Sequence, residues 1–97
     1  MIDLDPSIAH ELKRILQTYV PECRVFVFGS RVQGKAQRYS DIDLLLQGDY
    51  PLSESTLAKL RFALSDSNIP INVDVVDMNS LSVQFIQNIQ RNKEQFL

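Results

Sequence analysis

The apolar positions first fall at helical spacing, over Ile8, Leu12, Ile15, Leu16 and Tyr19. Asp5-Pro6 reads as the start of this helix, with Asp5 as N-cap and Pro6 at the first helical position, and Pro21 ends the run. The pattern then tightens. Arg24 to Phe28 is β-branched and aromatic, too short for a helix, and bounded by Gly29, which predicts a strand. Gly29 to Ser40 is polar with two glycines, a loop with room for one helical turn. Asp41 to Gln47 reads as a second strand, followed by the turn Gly48-Asp49-Tyr50-Pro51. A helix from Ser53 to about Ser67 is capped by Ser53 and buries Leu57, Leu60, Ala63 and Leu64. Asn68 and Pro70 stop it, and Ile71 to Val76 is a third strand. A last helix is expected from about Ser80 to the C-terminus, with Val83, Phe85, Ile86 and Ile89 on its packing side. The order is α-β-β-α-β-α: three strands with helices on one side, a small α/β layer.

Strand parity turns this pattern into a candidate site. Successive side chains of a strand alternate between faces. In the second strand Ile42, Leu44 and Leu46 share one face, and Asp41 and Asp43 share the other. Residues two apart in a strand have Cα atoms about 6.5–7 Å apart, so both carboxylates can converge on one ion. In the third strand Ile71, Val73 and Val75 share a face, and Asn72, Asp74 and Val76 share the opposite one. If both apolar faces pack against the same helices, Asp74 joins Asp41 and Asp43. Asp77 has the parity of the apolar set, so it is expected to point away, or to leave the strand and start the last helix.

Three carboxylates on one patch repel one another, by about 1 kcal/mol or more for each close pair. A divalent cation reverses the sign. All-oxygen ligands favour Mg²⁺ or Mn²⁺ over zinc, a triphosphate would complete the shell, and such a site suits two-metal phosphoryl or nucleotidyl transfer. Gly29-Ser30, directly after the first strand, supplies a second half. Glycine permits close backbone approach, and consecutive N–H groups form a nest for an anion. Ser30 adds a hydroxyl donor, and Arg31 adds a fixed positive charge for phosphate oxygens. Gly29 to Ala36 nearly matches the P-loop pattern G-x-x-x-x-G-K-S/T, but Ala36 lacks the hydroxyl that holds magnesium. Only Gln37 to Ser40 separate Ala36 from Asp41, which leaves no room for the long helix a P-loop opens, so that reading is rejected.

Composition narrows the function. The chain has 97 residues, of which 44% are hydrophobic and 23% charged, so one domain over 1–97 is expected and neither a disordered tail nor a membrane protein fits. No stretch reaches the ~20 apolar residues of a membrane span, and the acidic start Met1-Ile2-Asp3-Leu4-Asp5 is no signal peptide. Cys23 and His10 are the lone cysteine and histidine, which excludes an internal disulfide and a His/Cys zinc site, and a cytoplasmic setting fits. Ten basic against 12 acidic residues argue against long nucleic acid as partner. His10 reads as a surface residue, Cys23 as a small packing residue, and Phe85, Ile86 and Ile89 as core. Two readings stand for Tyr39: stacking on a nucleotide base, or covering the strand end.

Phe28-Gly-Ser-Arg-Val-x-Gly34, then Tyr39-Ser-Asp-Ile-Asp-Leu-Leu45, then Val73-Asp-Val-Val-Asp77 resembles the DNA polymerase β-type nucleotidyltransferase superfamily. Within it the chain resembles the minimal nucleotidyltransferases (MNT proteins) encoded beside HEPN-domain partners. The resemblance implies a mixed sheet flanked by helices. It implies that Gly29 and Ser30 bind the triphosphate of ATP, that Asp41 and Asp43 hold two Mg²⁺, and that Asp74 completes the metal site and helps activate the acceptor hydroxyl. It also implies an antitoxin that transfers AMP from ATP to a tyrosine of a HEPN ribonuclease toxin, within a hetero-oligomer or as a homodimer. A second reading is an antitoxin or regulatory subunit that binds nucleotide and neutralises its partner by occlusion, without catalysis. Larger relatives modify small molecules or RNA with an extra domain. None is expected here, which argues against those acceptors.

Overall fold

The computed structural model describes residues 2–97, and Met1, the first residue of the expected domain, lies outside them. Helix α1 spans Pro6–Tyr19 and starts as its sequence dictates: the Asp5 carboxylate accepts the Ser7 N–H at 2.8 Å, and proline occupies the first turn. Leu12, Ile15 and Leu16 are buried along it, with Val20 just beyond its end, whereas Tyr19 is exposed rather than part of the packing face. Strand β1 spans Arg24–Phe28, and a 3-10 turn over Gly29–Arg31 follows at once. Strand β2 spans Ile42–Gln47, so Asp41 sits just ahead of it. Helix α2 spans Glu54–Ser65, with the Ser53 hydroxyl accepting the Thr56 N–H at 3.1 Å. Leu60 and Leu64 are its buried residues, and Leu57 and Ala63 are only partly buried.

Strand β3 spans Val73–Asp77, two residues later than its apolar run suggests. A 3-10 turn over Met78–Ser80 leads to helix α3, Val83–Gln90, capped by Ser82. The expected last helix therefore starts later and does not reach the C-terminus. Arg91 and Asn92 turn the chain, and Lys93–Gln95 forms a short strand, β4, antiparallel to β1. The observed order is α-β-β-α-β-α-β, one strand more than expected. Asp77 caps the 3-10 turn rather than the last helix.

The four strands lie in the order β3-β2-β1-β4. β1 is antiparallel to both β2 and β4, while β2 and β3 are parallel, so the sheet is mixed. One face carries Val25, Val27, Ile42, Leu44, Leu46 and Val75, packed under α1 and α2 in one core. Leu12, Leu16, Val25, Val27, Ile42, Leu44, Leu46 and Leu60 are essentially inaccessible to water. Full burial of each such side chain contributes about 1.5–3 kcal/mol, which makes this face the main source of stability. The opposite face is built differently. Leu45 is also buried, but it points away from that core, as does Ile89 of α3. Among the described residues no helix is long and apolar enough to cross a membrane.

Candidate active site

The second face of the sheet gathers the predicted acids. Phe28 pairs with both Lys93 and Asp43, and Asp43 pairs with Asp74. Paired residues of neighbouring strands project to the same side. Lys93, Phe28, Asp43 and Asp74 therefore form one row across all four strands. The next row is Gln95, Phe26, Leu45 and Val76, by the same register. The sheet thus brings Asp43 and Asp74 side by side, as parity predicted, and Asp41 lies one step before β2.

The proximity has an electrostatic consequence. The Asp43 carboxyl is pushed above its ordinary value of 3.8, first by burial, then by the negative charges of Asp74 and Asp41. Among the described residues no lysine or arginine lies within ion-pair distance of these three acids. The Asn72 amide steadies Asp74, with its Nδ2 3.3 Å from Oδ1. Asn72 shares the parity of Asp74, so the sequence carried a signal for this contact that went unread.

The turn after β1 presses against the same acids. Gly29 has φ +77°, and a Cβ placed on it would lie 2.5 Å from Asp43 Oδ2. Only glycine tolerates both the left-handed backbone and that approach. The next N–H groups, of Ser30 and Arg31, open the 3-10 turn and have no acceptor among the described residues, and neither has the Ser30 hydroxyl. They are free donors beside a carboxylate pair, an arrangement that accepts an anion once the carboxylates are neutralised by a cation.

Arg31 is placed differently from expectation. Its side chain is buried, and the guanidinium is spent on backbone carbonyls. It donates to Asp3 at 3.0 Å, to Arg38 at 3.2 Å and, through Nη2 at 2.8 Å and Nε at 3.2 Å, to Ser40. The Asp3 N–H returns a bond to the Arg31 carbonyl at 2.8 Å. The side chain holds the 32–41 loop closed and so fixes where the chain enters Asp41; its backbone N–H remains part of the free turn. Tyr39 stands in solvent at 69% exposure, with the Arg38 guanidinium 5.4 Å from its ring centre, so it does not cover the strand end. Lys35 lies in the open loop just past the 32–34 turn, and no helix forms between Gly34 and Ile42, as rejection of the P-loop required.

Asp77 is only 4% exposed and has a separate task. Its carboxylate accepts the Leu52 N–H at 2.7 Å and the Asn79 N–H at 3.0 Å, tying the loop before α2 to the end of β3. The donor set suits a hard divalent cation: uncompensated carboxylates, two of them side by side and the third one step before the strand, with Asp43 held reluctant to ionise. Among the described residues no three acids are yet drawn into a closed chelating shell, so a cation would have to gather them. Val83 and Phe85 of α3, both expected on its packing side and Phe85 in the core, are exposed at 72% and 42%. Phe85, Phe28, Asp43 and Asp74 instead line one cleft of about 820 Å³. Periodicity alone could not separate these positions of α3 from core, because it reports a face and not what covers it.

A family model described as polymerase beta, nucleotidyltransferase, matches residues 10–97. The chain is 41% identical over 80 residues to the Haemophilus influenzae protein named "Probable protein adenylyltransferase MntA", spanning 82% of this chain and 70% of that protein. A crystal structure of a toxin–antitoxin with AMP-PNP superposes with a TM-score of 0.77 at 27% identity, over 92% of this chain and 72% of the other. The Shewanella oneidensis structure of a tri-AMPylated HEPN toxin in complex with MNT antitoxin has the same fold, with a TM-score of 0.71 at 23% identity over 94% of this chain and 70% of that one.

Proposed function

The chain belongs to the polymerase beta nucleotidyltransferase family, and from that premise we propose that it transfers AMP from ATP to a hydroxyl of a HEPN-domain toxin, for which it is the antitoxin. The observation that carries the reading is the contact of Gly29 with Asp43, beside Asp74 in the same row. Family membership and the adenylyltransferase relative support the activity. The AMP-PNP complex supports ATP as the donor, and the toxin–antitoxin complexes support the partner.

In this reading Asp41, Asp43 and Asp74 hold two Mg²⁺, with Mn²⁺ able to replace them. The metal ions, when bound, polarise the α-phosphate and offset the charge on the leaving oxygens. The free N–H groups of Ser30 and Arg31 and the Ser30 hydroxyl bind the β- and γ-phosphates. Gly29 keeps the backbone close enough for that contact. Asp74 Oδ1 is held by Asn72, which leaves Oδ2 to take the proton of the acceptor hydroxyl. The acceptor oxygen bonds to the α-phosphorus, the bond from that phosphorus to the bridging oxygen breaks, and pyrophosphate leaves toward the Gly29–Ser30 turn. Arg31 acts through its carbonyl bonds, as a positioning residue for Asp41. ATP as donor makes the cytoplasm the setting of this reading.

The test uses ATP labelled at either the α- or the γ-phosphate, with Mg²⁺ and the HEPN protein. Label from the α position should appear on the partner, and label from the γ position should not. Equal transfer by Asp43→Asn would overturn the reading. Full neutralisation of the toxin in cells by an Asp41→Ala/Asp43→Ala chain would favour occlusion instead.

A further inference from the structure

The triphosphate turn takes no part in lining the 820 Å³ cleft. Asp43 and Asp74 line the cleft, yet none of Gly29, Ser30 and Arg31 does. In-line displacement sends the leaving group and the nucleophile to opposite sides of the phosphorus. With pyrophosphate held at the turn, the cleft is the space beside Asp74 left open to the nucleophile.

The cleft follows the outer edge of β3, which is an edge strand of the sheet. The Ile42 N–H bonds the Asn72 carbonyl at 2.9 Å, which fixes the phase of the parallel ladder. By alternation Asp74 and Val76 direct their backbone groups to β2, and Val73 and Val75 direct theirs outward. The outward carbonyl of Val75 receives Arg61 Nη2 at 3.3 Å. The outward N–H and C=O of Val73 and the N–H of Val75 bond nothing among the described residues. An open strand edge therefore runs past Asp74, and the half-exposed ring of Phe85 faces the same space.

We propose that this edge is the acceptor site: an extended segment of the partner protein adds to β3 as a further strand, and Phe85 packs against the side chain that bears the acceptor hydroxyl. This rests on the adenylyl-transfer reading and assigns its second substrate a place. Backbone pairing along an edge recognises extension, and alternate side chains are read by pockets. A segment paired outside β3 brings every second side chain to the Asp74 face, next to the proton acceptor. Arg61 is a temporary cover of the edge, displaced when the segment pairs with Val75.

Two variants test it in the full chain with the HEPN protein. Phe85→Ala removes the ring. Val73→Pro removes an outward N–H that the sheet does not use, a substitution edge strands accept. Each should raise the acceptor KM about tenfold or more, leave kcat within about twofold, and leave AMP-PNP·Mg²⁺ affinity unchanged. Phe85→Leu should recover part of the loss, and circular dichroism checks that each variant is folded. An unchanged acceptor KM in both folded variants overturns the proposal. A fall in AMP-PNP affinity that matches the loss in transfer also overturns it, because the cleft would then hold the adenine base. Failure of the underlying reading is separately visible: the unsubstituted protein itself would transfer no α-label, and the acceptor site would fall with it.

Discussion

Gly29 and Asp43 approach so closely that one methyl group on Gly29 would lie 2.5 Å from Asp43 Oδ2. Gly29→Ala thus carries two penalties. The left-handed backbone costs an alanine roughly 1–2 kcal/mol, and the methyl pushes the carboxylate out of line. The variant should lose about 1–2 kcal/mol in urea unfolding and at least 100-fold in AMP transfer. Gly34 is the control. It has φ +70° but open space around it, so Gly34→Ala should lose similar stability and keep transfer within a few fold.

Asp43 works against folding until a cation arrives. Its folded carboxyl titrates above the ordinary value of 3.8 because burial and the acids at 74 and 41 disfavour its charge. A raised carboxyl pKa means the unfolded chain releases this proton first. The metal-free protein therefore loses stability as pH rises from about the ordinary value through the raised one, and keeps that deficit above it. Asp43→Asn should raise the metal-free Tm at pH 7 and flatten this part of the pH profile. Mg²⁺ with AMP-PNP should stabilise the unsubstituted protein strongly and the variant little. Thermal unfolding with and without Mg²⁺ measures all three.

Arg31 supports the site through the loop. Lysine carries charge but not the planar fork that reaches the carbonyls of Asp3, Arg38 and Ser40 together. Arg31→Lys should cost on the order of 2–3 kcal/mol, since several charge-assisted bonds to partly buried carbonyls are lost. Because the loop delivers Asp41, its Mg²⁺ requirement should rise several fold at saturating ATP. A Mg²⁺ titration of the transfer rate, with temperature set below the variant's Tm, separates this from simple unfolding.

Two aspartates three residues apart should behave oppositely. Asp77→Ala orphans the Leu52 and Asn79 N–H groups and should cost about 1–3 kcal/mol while folded molecules keep transfer. Asp74→Asn should leave stability nearly unchanged and cut transfer by about 100-fold or more, the usual scale for loss of a positioned base. Urea unfolding and transfer rates on the same samples give the crossed pattern.

Much of this was readable from residue order because strand alternation is rigid. One parity argument separated Asp74 from Asp77, and the glycine at the end of β1 marked a close backbone approach, expected toward a ligand, while its contact with Asp43 came only with the fold. Local signals also placed the caps, Asp5 and Ser53, where the structure has them. The chain after Ser80 was less legible. Lys93-Glu94-Gln95 has no β-branched or aromatic residue, and it becomes a strand because the outer edge of β1 is open beside it. Arg31 offered a charge that suits phosphate, but its burial depends on carbonyls from residues 3 to 40, a three-dimensional fact with no short-range pattern. Phe85 looked like core for the same reason: helical spacing identifies an apolar face and not its neighbour.

The most direct measurement is an anomalous difference map, recorded at the manganese absorption edge, from crystals of the protein grown with Mn²⁺ and AMP-PNP. Peaks should lie among the carboxylates of Asp41, Asp43 and Asp74, with the triphosphate on the N–H groups of Ser30 and Arg31. Manganese bound elsewhere, or a nucleotide whose phosphates sit away from Gly29 and Ser30, would contradict the account.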